Sequence, residues 1–164
     1  MATPEISNLF VCLGNICRSP AAEGVFFARI QRAGLIDRVH CDSAGTAGWH
    51  LGKLADPRMR ASAMHRGIAL THRVREVTPA DLAKYDLVLA MDHDNHNNLR
   101  ALDPTGALHD RVRLFAEFCT KHKVTQIPDP YYGGPEDFEH VLDLVEDGCD
   151  GLMEWVNARL AARK

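Results

Sequence analysis

At 164 residues, 46% of them hydrophobic, the chain can bury one substantial core and needs no second domain. Its 19 Lys and Arg against 22 Asp and Glu are scattered without a basic stripe, which argues against nucleic acid as a partner, and no apolar run approaches the ~18 residues of a membrane span. The opening MATPEISN lacks the charged and apolar regions of a signal peptide, and five cysteines without a regular framework fit reduced thiols, so a cytoplasmic protein is expected.

The first element is a buried strand over Ile6–Val11, followed by the turn Cys12-Leu13-Gly14-Asn15-Ile16-Cys17-Arg18-Ser19. Ser19-Pro20 reads as the N-cap and first position of a helix to Ala33, with Ala22, Phe26, Ile30 and Ala33 on one face and Gly34 as its stop. A strand follows over Val39–Asp42. Asp56-Pro57 opens a second helix that ends at Gly67, and Thr78-Pro79-Ala80-Asp81 starts a short capped one. A strand over Leu87–Met91, a helix from near Asp92 and a strand over Val112–Phe115 come next. The last helix spans Pro135–Ala162, with Phe138, Val141, Leu142, Val145, Cys149, Leu152, Met153, Val156 and Leu160 as its apolar stripe. Strands alternating with helices predict an α/β fold with a parallel sheet, whose ligands bind beyond the carboxyl ends of the strands.

The first turn lies at such an end. Its backbone N–H groups would converge at a helix N-terminus, which favours a bound dianion and the thiolate form of Cys12. Arg18 adds a permanent planar fork suited to two phosphate oxygens. A nucleophilic sulfur in a phosphate cradle implies phosphoryl transfer to Cys12.

Cys-x5-Arg-Ser is the signature of cysteine-dependent phosphatases, and CLGNICRSP resembles the low-molecular-weight protein tyrosine phosphatases. The general-acid loop of that family is matched by Asp129-Pro130-Tyr131-Tyr132-Gly133-Gly134. Its bacterial members' substrate-side loop is matched by Ser43 to Gly52 with Asp56-Pro57-Arg58. The resemblance implies a four-stranded parallel sheet flanked by helices, flavodoxin-like, in one domain over residues 1–164. It implies hydrolysis of phosphotyrosine in proteins and of small aryl phosphates, with Cys12, Arg18 and Asp129 catalytic. The loop residues Leu13, Gly14, Asn15, Ile16, Cys17 and Ser19 would bind substrate with the aromatic walls Trp49, Tyr131 and Tyr132. Asn15, Ser19, Ser43 and His72 would form a supporting network. On the residues alone, His72 reads equally as a solvated histidine and Ser43 as a turn residue. In the family, the counterpart of Cys17 forms a reversible disulfide with the nucleophile, although a small packing residue explains Cys17 equally well. Partners implied are phosphotyrosine proteins, a bacterial tyrosine kinase among them, for a monomer capable of weak dimerisation. Val74 and Glu76 depart from the family pattern and leave only local packing in question.

No cofactor or metal is expected: Asp92-His93-Asp94-Asn95-His96 has metal-ligand residue types but reads as a polar helix start, with Asp92 bordering the site. An arsenate reductase would share the anion loop but needs a thiol relay, and residues 67–118 hold no cysteine. An inactive phosphotyrosine-binding module would be expected to lack Cys12, Arg18 or Asp129, and all three are present.

Overall fold

The computed structural model describes residues 3–163. Strands β1 (Ile6–Cys12), β2 (Val39–Gly45), β3 (Leu87–Ala90) and β4 (Val112–Leu114) form a parallel sheet in the order β2-β1-β3-β4. Helices α1 (Arg18–Arg32), α2 (Pro57–His65), α3 (Pro79–Lys84), α4 (His93–Ala101) and α5 (Pro135–Ala162) flank it. Among the described residues no helix is long and apolar enough to cross a membrane.

Both faces of β1 are covered, which is why its sequence is apolar rather than alternating. Phe10 packs on the side of α1 and α5, edge-on to Phe26 and Phe115 at centroid distances of 5.7 and 5.9 Å. Leu9 and Val11 pack on the opposite side with Leu82, Tyr85, Val88 and Leu99. The chain leaves β1 for β2 on one flank and crosses to β3 on the other. That reversal opens a crevice above the carboxyl end of β1, and Cys12 is its last residue.

Several boundaries differ from expectation: β1 runs one residue further, to Cys12, and β3 stops one residue earlier, at Ala90. The first helix begins at Arg18 with Cys17 as N-cap, because the Ser19 hydroxyl is used elsewhere. Pro20 is still tolerated, since first-turn N–H groups have no helical partner. Ala33, expected on the packed face, is exposed beyond the helix end. The second strand continues through Ser43 to Gly45, so Ser43 is a strand residue paired with Phe10. The fourth strand stops at Leu114, where the Glu117 carboxylate accepts the Leu114 N–H at 2.9 Å and starts a 3₁₀ turn over Phe115–Phe118.

Helix α5 sits close to that turn because two of its residues lack side chains. A Cβ on Gly151 would lie 1.9 Å from the Phe118 carbonyl oxygen, and one on Gly148 would lie 2.3 Å from the Phe115 ring. Beside them Asp147 is buried within a stripe otherwise apolar. Its carboxylate accepts the backbone N–H groups of Thr120, Lys121 and His122 at 3.0, 3.0 and 2.8 Å, and the His122 ring at 2.8 Å. Burial alone would raise the pKa of this group, but the bonded N–H donors outweigh burial and pull it down to about 2. A depressed carboxylate stabilises the fold above its unfolded pKa and loses that contribution as pH falls through the folded one. Asp147→Asn is therefore expected to cost about 2–3 kcal/mol at neutral pH, and urea denaturation should show the deficit shrinking as pH falls from about 4 to about 2.

Candidate active site

The turn from Cys12 to Arg18 is closed by the way its carbonyls are tied. The carbonyl oxygens of Cys12, Leu13, Ile16 and Cys17 accept the N–H groups of Thr46, Ala47, Asp56 and Ala21 at 3.0, 2.9, 2.8 and 3.2 Å. In a trans peptide the next N–H points the opposite way, so the N–H groups of Leu13, Gly14, Cys17 and Arg18 turn inward. Their convergence at the start of α1 makes an anion cradle. The strand–loop contact requires Gly45, where a Cβ would stand 2.8 Å from the Leu13 carbonyl oxygen.

Asn15 holds the turn in shape from behind. It adopts a left-handed backbone (φ 56°), which asparagine tolerates better than most residues. Its Nδ2 donates to the Ser19 and Ser43 hydroxyls at 2.8 and 3.1 Å. Its Oδ1 accepts the Arg75 N–H at 3.1 Å and faces His72 Nε2 at 3.0 Å, which makes that nitrogen the protonated one. Ser19 Oγ, which accepts from Asn15, lies 3.0 Å from Cys12 Sγ and 3.4 Å from the Ala44 carbonyl oxygen, so its proton can be directed to either. Asn15 and Ser19 are fully buried, so both belong to the supporting network and neither reaches the substrate cavity.

On its other side His72 Nδ1 lies 3.3 Å from Glu23 Oε1 and 3.2 Å from Asp42 Oδ1. Burial lowers the basicity of His72, but the bond to Asp42 and the charge of Glu23 outweigh burial and raise its pKa. Glu23 also accepts the Ser43 hydroxyl at 2.6 Å. Among the described residues these three side chains are the grouping whose donor atoms come within 4.8 Å of one another. Burial raises the pKa of Glu23, and the Arg75 guanidinium, its Nε 3.0 Å from Asp42 Oδ2, adds positive charge beside the group.

Arg18 is only 2% exposed. Its Nη1 donates to Asp92 Oδ2 at 2.7 Å and to the Ile127 carbonyl at 2.9 Å, while Nη2 lies 3.6 Å from Asp129 Oδ2. Burial would weaken the guanidinium's hold on its proton, but the charges of Cys12, Asp92 and Asp129 reverse this and raise its pKa. Asp92 caps α4 as its sequence context implies, accepting the Asn95 N–H at 2.8 Å with one oxygen and orienting Arg18 with the other.

A cavity of about 180 Å³ opens over the cradle. Cys12, Leu13, Gly14, Ile16, Cys17, Arg18, Trp49, His50, Asp129, Tyr131 and Tyr132 border it. Trp49 and Tyr132 stand out at the rim, 70% and 96% exposed. Asp129 heads a tight turn, accepting the Tyr131 N–H at 3.1 Å. The five cysteines are all free thiols. Burial pushes the thiols of Cys17, Cys41 and Cys149 well above their ordinary pKa and that of Cys119 up to about 11. Cys149 is buried in the core, and Cys41 and Cys119 are half-buried. Val74 is buried and ties its segment to Lys53 and Gly52, and Glu76 bridges to Gly45, so both departures from the family pattern are accommodated.

Glu23, Asp42 and the orienting role of Asp92 have no local sequence signal. The adjacent Trp49-His50 pair was the one hint for His50.

A family model described as low molecular weight phosphotyrosine protein phosphatase matches residues 7–162. The chain is 43% identical to the low molecular weight protein-tyrosine-phosphatase of Streptomyces coelicolor, over 94% of this chain and 95% of that one. It is 40% identical to low molecular weight protein-tyrosine phosphatase A of Mycobacterium tuberculosis, over 93% and 92%. Its fold matches the crystal structure of a protein tyrosine phosphatase from Entamoeba histolytica with Hepes in the active site, at a TM-score of 0.90 and 42% identity over 93% of this chain and 97% of that chain. The match runs from β1 to the last turn of α5 and takes in the whole cradle, and on this ground the chain belongs to the low molecular weight phosphotyrosine protein phosphatase family.

Proposed function

We propose that this chain hydrolyses phosphotyrosine in proteins, and small aryl phosphates, through a cysteinyl-phosphate. The observation that carries the reading is the cavity that Cys12, Arg18 and Asp129 border together, with Ser19 Oγ 3.0 Å from Cys12 Sγ and Asp129 3.6 Å from Arg18. Cys12 attacks phosphorus, forming the S–P bond as the bond to the aryl oxygen breaks. Arg18 and the loop N–H groups hold the equatorial oxygens, whose charge they meet without reorganising. Asp129 protonates the departing phenolate and then takes a proton from the water that attacks phosphorus. Ser19 donates to the sulfur as it leaves. Trp49, Tyr131 and Tyr132 flank the phenol ring, and a cradle set this deep favours a phosphotyrosine over the shorter phosphoserine.

Partners in this reading are phosphotyrosine-bearing proteins, a bacterial tyrosine kinase among them. The chain acts as a monomer whose exposed Trp49 and Tyr132 permit weak self-association, and five free thiols fit the cytoplasm. The test is p-nitrophenyl phosphate hydrolysis in EDTA at mildly acidic pH. Asp129→Asn is expected to reduce kcat about 10²–10⁴-fold, most for substrates with poor leaving groups. A wild-type chain inert in EDTA yet able to reduce arsenate with thioredoxin would overturn the assignment.

A further inference from the structure

The motif Asp56-Pro57-Arg58 lies outside the chemistry described so far, and its contacts connect the phosphate loop to the acid loop, which Arg18 also links through Ile127 and Asp129. The Asp56 N–H donates to the Ile16 carbonyl of the cradle at 2.8 Å, so this residue is fixed to the phosphate loop. Its carboxylate is nearly buried and caps α2 through the Arg58 N–H at 2.8 Å. The same carboxylate takes the Arg58 side chain in a fork, Nε at 3.1 Å and Nη2 at 2.9 Å. A planar cation held by two bonds has a fixed orientation. Its Cζ lies over the Phe138 ring, in the first turn of α5, 4.7 Å from the centroid, and over the Tyr131 ring, 5.3 Å from that centroid. Both distances are within cation–π range. Tyr131 is two residues from Asp129 and donates its N–H to that carboxylate at 3.1 Å.

We propose that Arg58 is a positioning residue that braces Tyr131, and through it Asp129, against the phosphate loop. The inference rests on Asp129 being the general acid. The acid loop is rich in Gly and Pro, and within that loop its half-exposed aspartate accepts the Tyr131 N–H, so the position of Tyr131 bears directly on that of the carboxyl. A stack on a cation pinned to the cradle ties the acid's position to that of the phosphate. Misplacement by about 1 Å in a reacting group can cost on the order of 10²-fold, so a brace that limits wandering has a measurable effect. Arg58 does not border the cavity, and substrate affinity should not depend on it.

The experiment is a double-mutant cycle of Arg58→Ala and Asp129→Asn, measured on p-nitrophenyl phosphate and on phenyl phosphate, whose leaving group is poorer. Arg58→Ala alone is expected to lower kcat on phenyl phosphate about 5–30-fold, with a smaller loss on p-nitrophenyl phosphate and KM unchanged within about twofold. In the Asp129→Asn background the same change should cost less than about twofold, because the group it positions is gone. Arg58→Lys, which keeps the charge but cannot form the fork, should recover little. Circular dichroism and thermal midpoints establish that each variant is folded, which the half-exposed position of Arg58 favours. Equal losses in both backgrounds, equal losses on both substrates, or a change confined to KM would each overturn the brace. A full effect of Asp129→Asn with none from Arg58→Ala refutes this inference alone, whereas no effect of Asp129→Asn refutes the general-acid assignment beneath it.

Discussion

Cys12→Ser is expected to abolish turnover, with kcat on aryl phosphates falling on the order of 10⁴–10⁶-fold while the chain stays folded and still binds phosphate. The substitution keeps the size and the Ser19 contact almost unchanged but replaces a soft sulfur nucleophile by a hydroxyl. Among the described residues the side chain that hydrogen-bonds the Cys12 sulfur is Ser19 Oγ at 3.0 Å, a hydroxyl and not a base that could activate a second one. An unactivated alcohol is a far weaker nucleophile at phosphorus than the sulfur it replaces. Phosphate binding can be followed by the thermal midpoint with and without inorganic phosphate. A serine variant within about tenfold of wild type would remove the covalent mechanism. A variant that lost both activity and phosphate binding would instead mean that the substitution had collapsed the cradle.

Arg18→Lys is expected to lower kcat/KM on the order of 10³–10⁵-fold, although the charge is retained. The guanidinium makes separate use of its nitrogens: one donates to Asp92 and the Ile127 carbonyl, and the other faces the cavity near Asp129. An ammonium has one nitrogen for these tasks. Drawn to Asp92 it deserts the phosphate, and drawn to phosphate it leaves Asp92 without its partner. Steady-state kinetics with a vanadate inhibition series checks this, since the weaker transition-state hold should appear as a parallel loss of vanadate affinity. Lysine within about tenfold of wild type would show that charge alone suffices.

The catalytic loop was legible because its parts are contiguous: Cys12 and Arg18 fall within one turn, between a strand that ends and a helix that begins. Fold class was legible for a similar reason, as each strand and helix carries its own periodicity. The supporting residues come from separate elements. Asp92 reaches Arg18 across 74 positions, and His72 reaches Asn15 across 57, distances over which no local pattern survives. His72 therefore looked as much like a solvated histidine as a working one. Ser19 before Pro20 satisfied the rule for a helix cap, and the structure overrode that rule because the hydroxyl has a better use against Cys12. Asp147 was hidden by its apolar neighbours, its partners being three consecutive N–H groups in a segment about 25 residues earlier. Polar residues in buried stripes are thus the ones whose purpose only three-dimensional proximity reveals.

Asn15 saturates both ends of its amide with partners inside the protein, and this bears on how the enzyme can discriminate. A cradle whose shape is already fixed has no closing motion to reward the right substrate over the wrong one. It will accept any tetrahedral oxyanion of suitable size, so inorganic phosphate, the product, should compete with substrate throughout the reaction. Choice among phosphoproteins must then be exercised at the rim, by Trp49, His50 and Tyr132, where sequence can vary without disturbing the chemistry below.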